Sequence, residues 1–308
     1  MSVVSTYQPS PMDCSTRRPG FRAWLLALLL VLAPAALEAT GPATITDVTI
    51  PITAPDPSGH ITLRLVATEY RPAAAGPLPA IVLSHGAPGD PRARSTYTGK
   101  YPVPSGVFLD WGFVVLSPVR RGYGKSDGVF AEDYGSCGEP DYLDAGLETA
   151  RDIEAAVAYL LQRPYVDRDR IVLVGQSAGG WGSLAAASRG EVPIRGVVNF
   201  AGGRGGKRGN VPNDNCAPER LVEAAGALGR TTAAPSLWLY TENDQFFGPA
   251  LSRRMHEAYV TRGGHATYYL LPAIGADGHH LIGLKSGVAL WKDKVERFLR
   301  DIGVLSRR

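Results

Sequence analysis

Cysteine is scarce in this chain of 308 residues. Only Cys14, Cys137 and Cys216 are present. An apolar run long enough to cross a membrane comfortably is missing. The longest, Ala23 to Ala36, has the length of a signal-peptide core. One-sided charge is missing too: 32 Lys and Arg stand against 29 Asp and Glu, a formal net charge of +3. The basic residues are scattered, with no stripe interleaved with aromatics, so nucleic acid is not an expected partner. No internal repeat is present. Metal-ligand types gather only at Asp277, His279 and His280, and without a supporting cluster they do not make a metal site.

The N-terminal segment reads as a leader and not as fold. A basic stretch, Arg17-Arg18-Pro19-Gly20-Phe21-Arg22, precedes the apolar run, and small residues follow it. This predicts a signal peptide over 1–39, cleaved after Ala35, Ala36 or Ala39, and an exported protein, periplasmic or extracellular. An uncleaved N-terminal membrane anchor is the alternative. Removing the leader removes Cys14. Cys137 and Cys216 remain as an even pair in an exported chain, which predicts a disulfide.

Residues 40–308 read as one α/β domain. Thr44–Ile50 and Ile61–Val66 alternate apolar and polar residues, as antiparallel strands with one solvated face do. Short apolar runs follow at Ala80–Leu83, Phe113–Leu116, Ile171–Val174, Val197–Phe200, Leu237–Tyr240 and Thr267–Leu271. Helical spacing separates several of them, at Asp141–Leu161, Pro218–Leu228 and Ala250–Val260, and closes the chain at Val288–Leu299. The alternation predicts a mostly parallel sheet with antiparallel N-terminal strands and helices on both faces. A small cap or loop insertion is a candidate at 201–235.

The run Ile171-Val172-Leu173-Val174 leads straight into Gly175-Gln176-Ser177-Ala178-Gly179-Gly180. Gly-x-Ser-x-Gly between a buried strand and a helix is a nucleophile elbow, which pushes the serine hydroxyl out at the carboxyl edge of a sheet. A serine needs a base, and the base a carboxylate, in the chain order Ser, acid, His. Of six histidines, only His279 and His280 follow a strand downstream of Ser177. His279 is preferred because Gly278 permits an exposed turn before it. Asp244 is the preferred acid over Glu242, while Asp277 lies close enough to His279 to shape its turn. The oxyanion needs two amides. Ala178 supplies one, and Ala87, or next to it Gly86, the other. His85 is expected to hold that loop by hydrogen bonds.

Two softer features remain. Arg120-Arg121-Gly122-Tyr123-Gly124-Lys125-Ser126 reads as a tight turn near the elbow. Arg204, Lys207 and Arg208 lie on a loop leaving the same sheet edge and are candidates to hold a substrate carboxylate.

Taken together, the His-Gly loop, the Arg-Gly-Tyr-Gly-Lys-Ser turn, Gly-Gln-Ser-Ala-Gly-Gly, Leu-Trp-Leu-Tyr-Thr-Glu-Asn-Asp and Asp-Gly-His-His resemble the α/β-hydrolase superfamily, nearest its exported dienelactone-hydrolase-like branch. The resemblance spans Ile61 to Leu299 and implies Ser177, Asp244 and His279 as nucleophile, acid and base. Dienelactone hydrolases proper carry cysteine at the elbow, where this chain has Ser177, so the expectation shifts to a serine esterase acting on a small-molecule ester or acyl compound. No metal or organic cofactor is implied. The alternatives are a peptidase or amidase of the same fold, or a binding protein on a hydrolase scaffold.

Overall fold

The structure, a computed structural model, describes residues 42–56 and 59–306. The leader expected over 1–39 lies outside the described residues.

The described residues open with a long antiparallel hairpin, β1 (Thr44–Asp56) and β2 (Gly59–Arg71). Both strands run past the alternating segments in the sequence. β3 (Leu78–Ser84), β4 (Val114–Pro118), β5 (Val166–Gln176), β6 (Gly196–Phe200), β7 (Ser236–Thr241) and β8 (Ala266–Leu271) complete a sheet of order β1-β2-β4-β3-β5-β6-β7-β8. β2 meets β4 antiparallel, and every later pairing is parallel. The inner strands are unbroken apolar runs because both of their faces are covered. Ile81, Val82, Val172, Leu173, Val197 and Val198 have no exposed surface.

Helices α2 (Tyr142–Leu161), α3 (Ala178–Arg189), α4 (Pro218–Thr231) and α5 (Pro249–Thr261) close one face, packing Leu160, Trp181, Leu221 and Met255 onto the sheet. The Asp141 carboxylate caps α2 by accepting the Asp144 N–H at 2.8 Å. The other face is covered by α1 (Pro102–Asp110) and α6 (Val288–Asp301). α6 buries Trp291, Val295, Phe298 and Leu299, a single stripe at helical spacing. Truncating Trp291 there would cost about 3–5 kcal/mol.

α1 was not legible in the sequence. Its segment, Pro-Val-Pro-Ser-Gly-Val-Phe-Leu-Asp, carries two prolines and a glycine and shows no apolar stripe. The prolines fit because they fall in the first turn, where no amide needs a partner. Of the candidate cap over 201–235, residues 218–231 form α4, which packs on α5, α2 and α3 within the helical layer. The loop before α4 borders a cleft over Ser177. Cys137 and Cys216 are joined in a disulfide that ties this loop to the one before α2.

Candidate active site

The loops after β3, β5, β6, β7 and β8 leave the same edge of the sheet, because these strands run parallel. Ser177 sits between β5 and α3 with φ 53° and ψ −120°, a strained conformation for a residue bearing a side chain. Its amide donates to the Phe200 carbonyl at 3.0 Å, and its carbonyl accepts the Trp181 N–H at 2.9 Å, so main-chain bonds on both sides hold the strain. The flanking glycines are needed for close approach. A Cβ on Gly175 would lie 2.3 Å from the Gly179 carbonyl oxygen, and one on Gly179 would lie 2.2 Å from that of Ser84.

Asp244, on the loop after β7, is buried. Its Oδ1 accepts the Phe246 and Phe247 N–H groups at 2.7 and 2.9 Å, and His279 Nδ1 lies 3.1 Å from the same oxygen. Burial alone would raise this carboxyl. The His279 ring and the two amides outweigh it and hold Asp244 below the ordinary carboxylate range. His279 is 3% exposed, whereas His280, partly covered, keeps a face to solvent. Burial followed by the neighbouring His279 depresses the His280 ring. The Phe246 ring stacks on His279 with centroids 4.1 Å apart. Glu242 is exposed. Asp277 caps the turn Gly278–Gly283, accepting the His279 N–H at 3.0 Å and the Gln245 N–H at 3.1 Å. Against the expectation, the turn is not exposed at Gly278. Gly278 is buried, and a Cβ there would meet Thr241 Oγ1 at 1.9 Å, so glycine is required for close approach to β7.

Gln176, next to Ser177, joins the elbow to the turn that carries His279. Its Nε2 donates to the His279 carbonyl at 3.1 Å. Its Oε1 accepts from the Tyr101 hydroxyl at 3.3 Å, and that hydroxyl accepts the Gly86 N–H at 3.2 Å. The Gly86 amide is therefore engaged, and Ala87, exposed at the cleft, carries the next one. His85 is fully buried. Its Nε2 accepts the Arg120 N–H at 3.1 Å, which puts the ring proton on Nδ1, 2.7 Å from the Gly86 carbonyl. Burial, and then the Arg120 charge, keep this ring neutral by lowering it well below its ordinary value. All described peptides are trans, so the Ala87 N–H points opposite the held Gly86 carbonyl.

Behind the loop lies a buried ion cluster. Arg120 Nε and Nη2 approach Glu132 at 2.5 and 3.1 Å, and Arg120 Nη1 donates to the His85 carbonyl at 2.6 Å. Arg204 donates to the same Glu132 carboxylate and to Thr149 Oγ1 at 2.7 Å. Burial would raise Glu132, but the two guanidinium groups overcome it and hold the carboxyl well below its ordinary range. Arg121 pairs likewise with Asp152 at 2.5 Å. The turn at Arg120–Ser126 is thus an electrostatic anchor for the loop before Ala87.

A cleft of about 260 Å³ opens over Ser177, walled by Ala87, Phe130, Glu132, Phe246 and Phe247 among others. Arg204 lines it, but its charge already faces Glu132. Lys207 and Arg208 are not in its lining. They pair with Asp277 at 3.7 Å and Asp214 at 2.9 Å. The cationic trio expected from the sequence is thereby split among three acidic partners. Gln176, Tyr101, Glu132 and Phe246 were not singled out in the sequence. Only Gln176, inside the elbow motif, carried a signal. Among the described residues, no three His, Cys, Asp or Glu side chains are grouped to hold a metal ion.

A sequence model of the alpha/beta hydrolase family matches residues 81–299. The chain belongs to the alpha/beta hydrolase family. The fold has many solved counterparts. An acylaminoacyl peptidase of Pyrococcus horikoshii is 18% identical with a TM-score of 0.61, the match covering 83% of this chain and 41% of that one. The chain thus spans less than half of that peptidase. An esterase of Pyrococcus furiosus is 18% identical with a TM-score of 0.57, over 84% of this chain and 93% of its own. A candidate dienelactone hydrolase of Klebsiella pneumoniae is 16% identical with a TM-score of 0.52, over 85% and 99%. Among curated proteins no sequence matches. In this hydrolase the loops bearing Ser177, Asp244 and His279 lie at one sheet edge, and the cleft opens over Ser177 there.

Proposed function

We propose that the protein is an exported serine hydrolase that cleaves a carboxylic ester or related acyl compound through Ser177, His279 and Asp244. The observation that carries this reading is the buried Asp244–His279 pair, linked through Gln176 to the strained elbow that bears Ser177.

The Ser177 hydroxyl attacks the acyl carbon as His279 Nε2 takes its proton. Asp244 holds Nδ1–H, fixing the tautomer and stabilising the imidazolium that forms. The Ala178 and Ala87 amides receive the oxyanion, each such donor being worth roughly 10²–10³ in rate. The tetrahedral intermediate collapses to the acyl-enzyme as His279 returns the proton to the departing alcohol. A water, deprotonated in turn by His279, then releases the acid. The disulfide is consistent with an oxidising compartment, and the basic and apolar leader supplies the route there.

Fluorophosphonate labelling of the folded protein, with peptide mapping, tests the reading beside a short-chain nitrophenyl ester assay. The expected result is a label on Ser177 and ester turnover, both abolished in Ser177→Ala. Turnover of peptide anilides without ester turnover would reassign the protein as a peptidase or amidase. Folded protein that neither labels nor turns over would be a binding protein on a hydrolase scaffold.

A further inference from the structure

We propose that Tyr101 is a positioning residue of this site, coupling the loop that presents the Ala87 amide to the loop that carries His279. The inference rests on the hydrolase reading above and assigns a role to a residue outside the triad and the oxyanion amides.

Tyr101 is the N-cap of α1, and its ring reaches into the site. A phenol oxygen accepts two hydrogen bonds and donates one. Here the Gly86 N–H donates to it at 3.2 Å, and its own proton goes to Gln176 Oε1 at 3.3 Å. The Tyr97 hydroxyl lies 3.4 Å away. With the Tyr101 proton already given to Gln176, Tyr97 must be the donor in that contact. The hydroxyl is then saturated, and its single proton has one direction to point. Gln176 is 6% exposed and passes the constraint on through Nε2 to the His279 carbonyl at 3.1 Å. One chain of bonds, Gly86–Tyr101–Gln176–His279, therefore runs through the residue next to Ser177 and joins segments from four parts of the sequence.

This coupling has a mechanistic use. The oxyanion amide and the base must both lie at fixed positions relative to one serine oxygen. A displacement of about 1 Å in such an arrangement costs on the order of 10²-fold in rate. Gly86 packs directly on the elbow: a Cβ there would lie 2.2 Å from Gln176 Oε1 and 3.2 Å from Ser177 Cβ, so the first link of the chain is made at the nucleophile's own side.

The test is a double-mutant cycle on the full mature chain with a nitrophenyl ester and the fluorophosphonate. Tyr101→Phe keeps the ring and removes the hydroxyl. It should lower kcat and the labelling rate of Ser177 together by about 10-fold, with KM within about 2-fold of wild type. Gln176→Glu retains the acceptor for Tyr101 but loses the donor to His279. It should lower kcat and also displace the acid limb of the kcat/KM profile, because it acts on the base. Combining the two should cost little more than the worse single variant, since both break one chain. Wild-type kcat in folded Tyr101→Phe, or strictly additive losses, would overturn the assignment while leaving the hydrolase reading intact. Should Tyr101→Phe fail to fold, a fluorinated tyrosine at position 101, which keeps the ring and hydroxyl but weakens the hydroxyl as an acceptor, replaces it in the cycle with Gln176→Glu, and additivity there is equally fatal. A wild-type protein that neither labels nor hydrolyses would remove both readings together.

Discussion

The carboxylate of Asp244 is shared between the His279 ring, 3.1 Å from Oδ1 and 3.2 Å from Oδ2, and the main-chain amides of Phe246 and Phe247. The amides fix the carboxylate before the histidine is considered, so the acid is rigid and the ring is oriented by it.

Replacing Asp244 with Asn keeps the shape and removes the charge. The neutral amide can offer its N–H to His279 and favour the wrong tautomer. Ester hydrolysis should fall by about 10⁴-fold in kcat, with the folded state retained. Glu242→Gln, on an exposed side chain, should leave kcat unchanged. Steady-state kinetics on the two variants separate the two acids.

Ser177→Gly removes the nucleophile and relieves the φ of 53°. Activity should vanish while stability rises by about 1 kcal/mol. Thermal unfolding beside Ser177→Ala, which keeps the strain, checks this. A midpoint for Ser177→Gly at or below that of Ser177→Ala would mean that the strain is too small to outweigh the freedom glycine adds to the unfolded chain.

Glu132→Gln leaves Arg120 and Arg204 buried without their carboxylate. The loss should be about 3–5 kcal/mol at neutral pH. The Glu132 carboxyl is lowered on folding, so its contribution is fully present above the unfolded glutamate value and declines as pH falls through the depressed folded one. The stability gap between wild type and Glu132→Gln, read from urea midpoints, should hold from pH 7 to about pH 5 and narrow in stronger acid. A gap that widens in acid would reverse the assigned sign.

Cys137 and Cys216, 79 residues apart in sequence, join the loop bearing Phe130 and Glu132 to the loop bearing Gly203 and Arg204. Replacing both with Ser should cost about 2–5 kcal/mol. KM should rise more than kcat falls, because the bridge holds cleft walls and not the triad. A kcat loss at unchanged KM would place the bridge in the catalytic geometry instead.

Some of this was set by sequence alone. Unbroken apolar runs separated by helical spacing specify buried parallel strands, since both faces of such a strand must be covered. Gly175 and Gly179 around Ser177 specify the elbow, because no Cβ fits where strand and helix backbones touch. The order Ser177, Asp244, His279 follows from strands that run parallel and so release their loops at one edge. Tertiary structure decided the rest. α1 shows no stripe and owes its form to packing between the sheet and the turn that carries His279. His279 differs from His280 only in which ring the short turn directs inward to Asp244. Arg204 read as a free cation until Glu132, 72 residues away, came to lie against it. Gln176 and His279 are 103 positions apart. Local sequence carries local periodicity and steric demand. Pairing between distant polar groups is settled only when burial removes their water and leaves each to find the partner that folding has brought within reach.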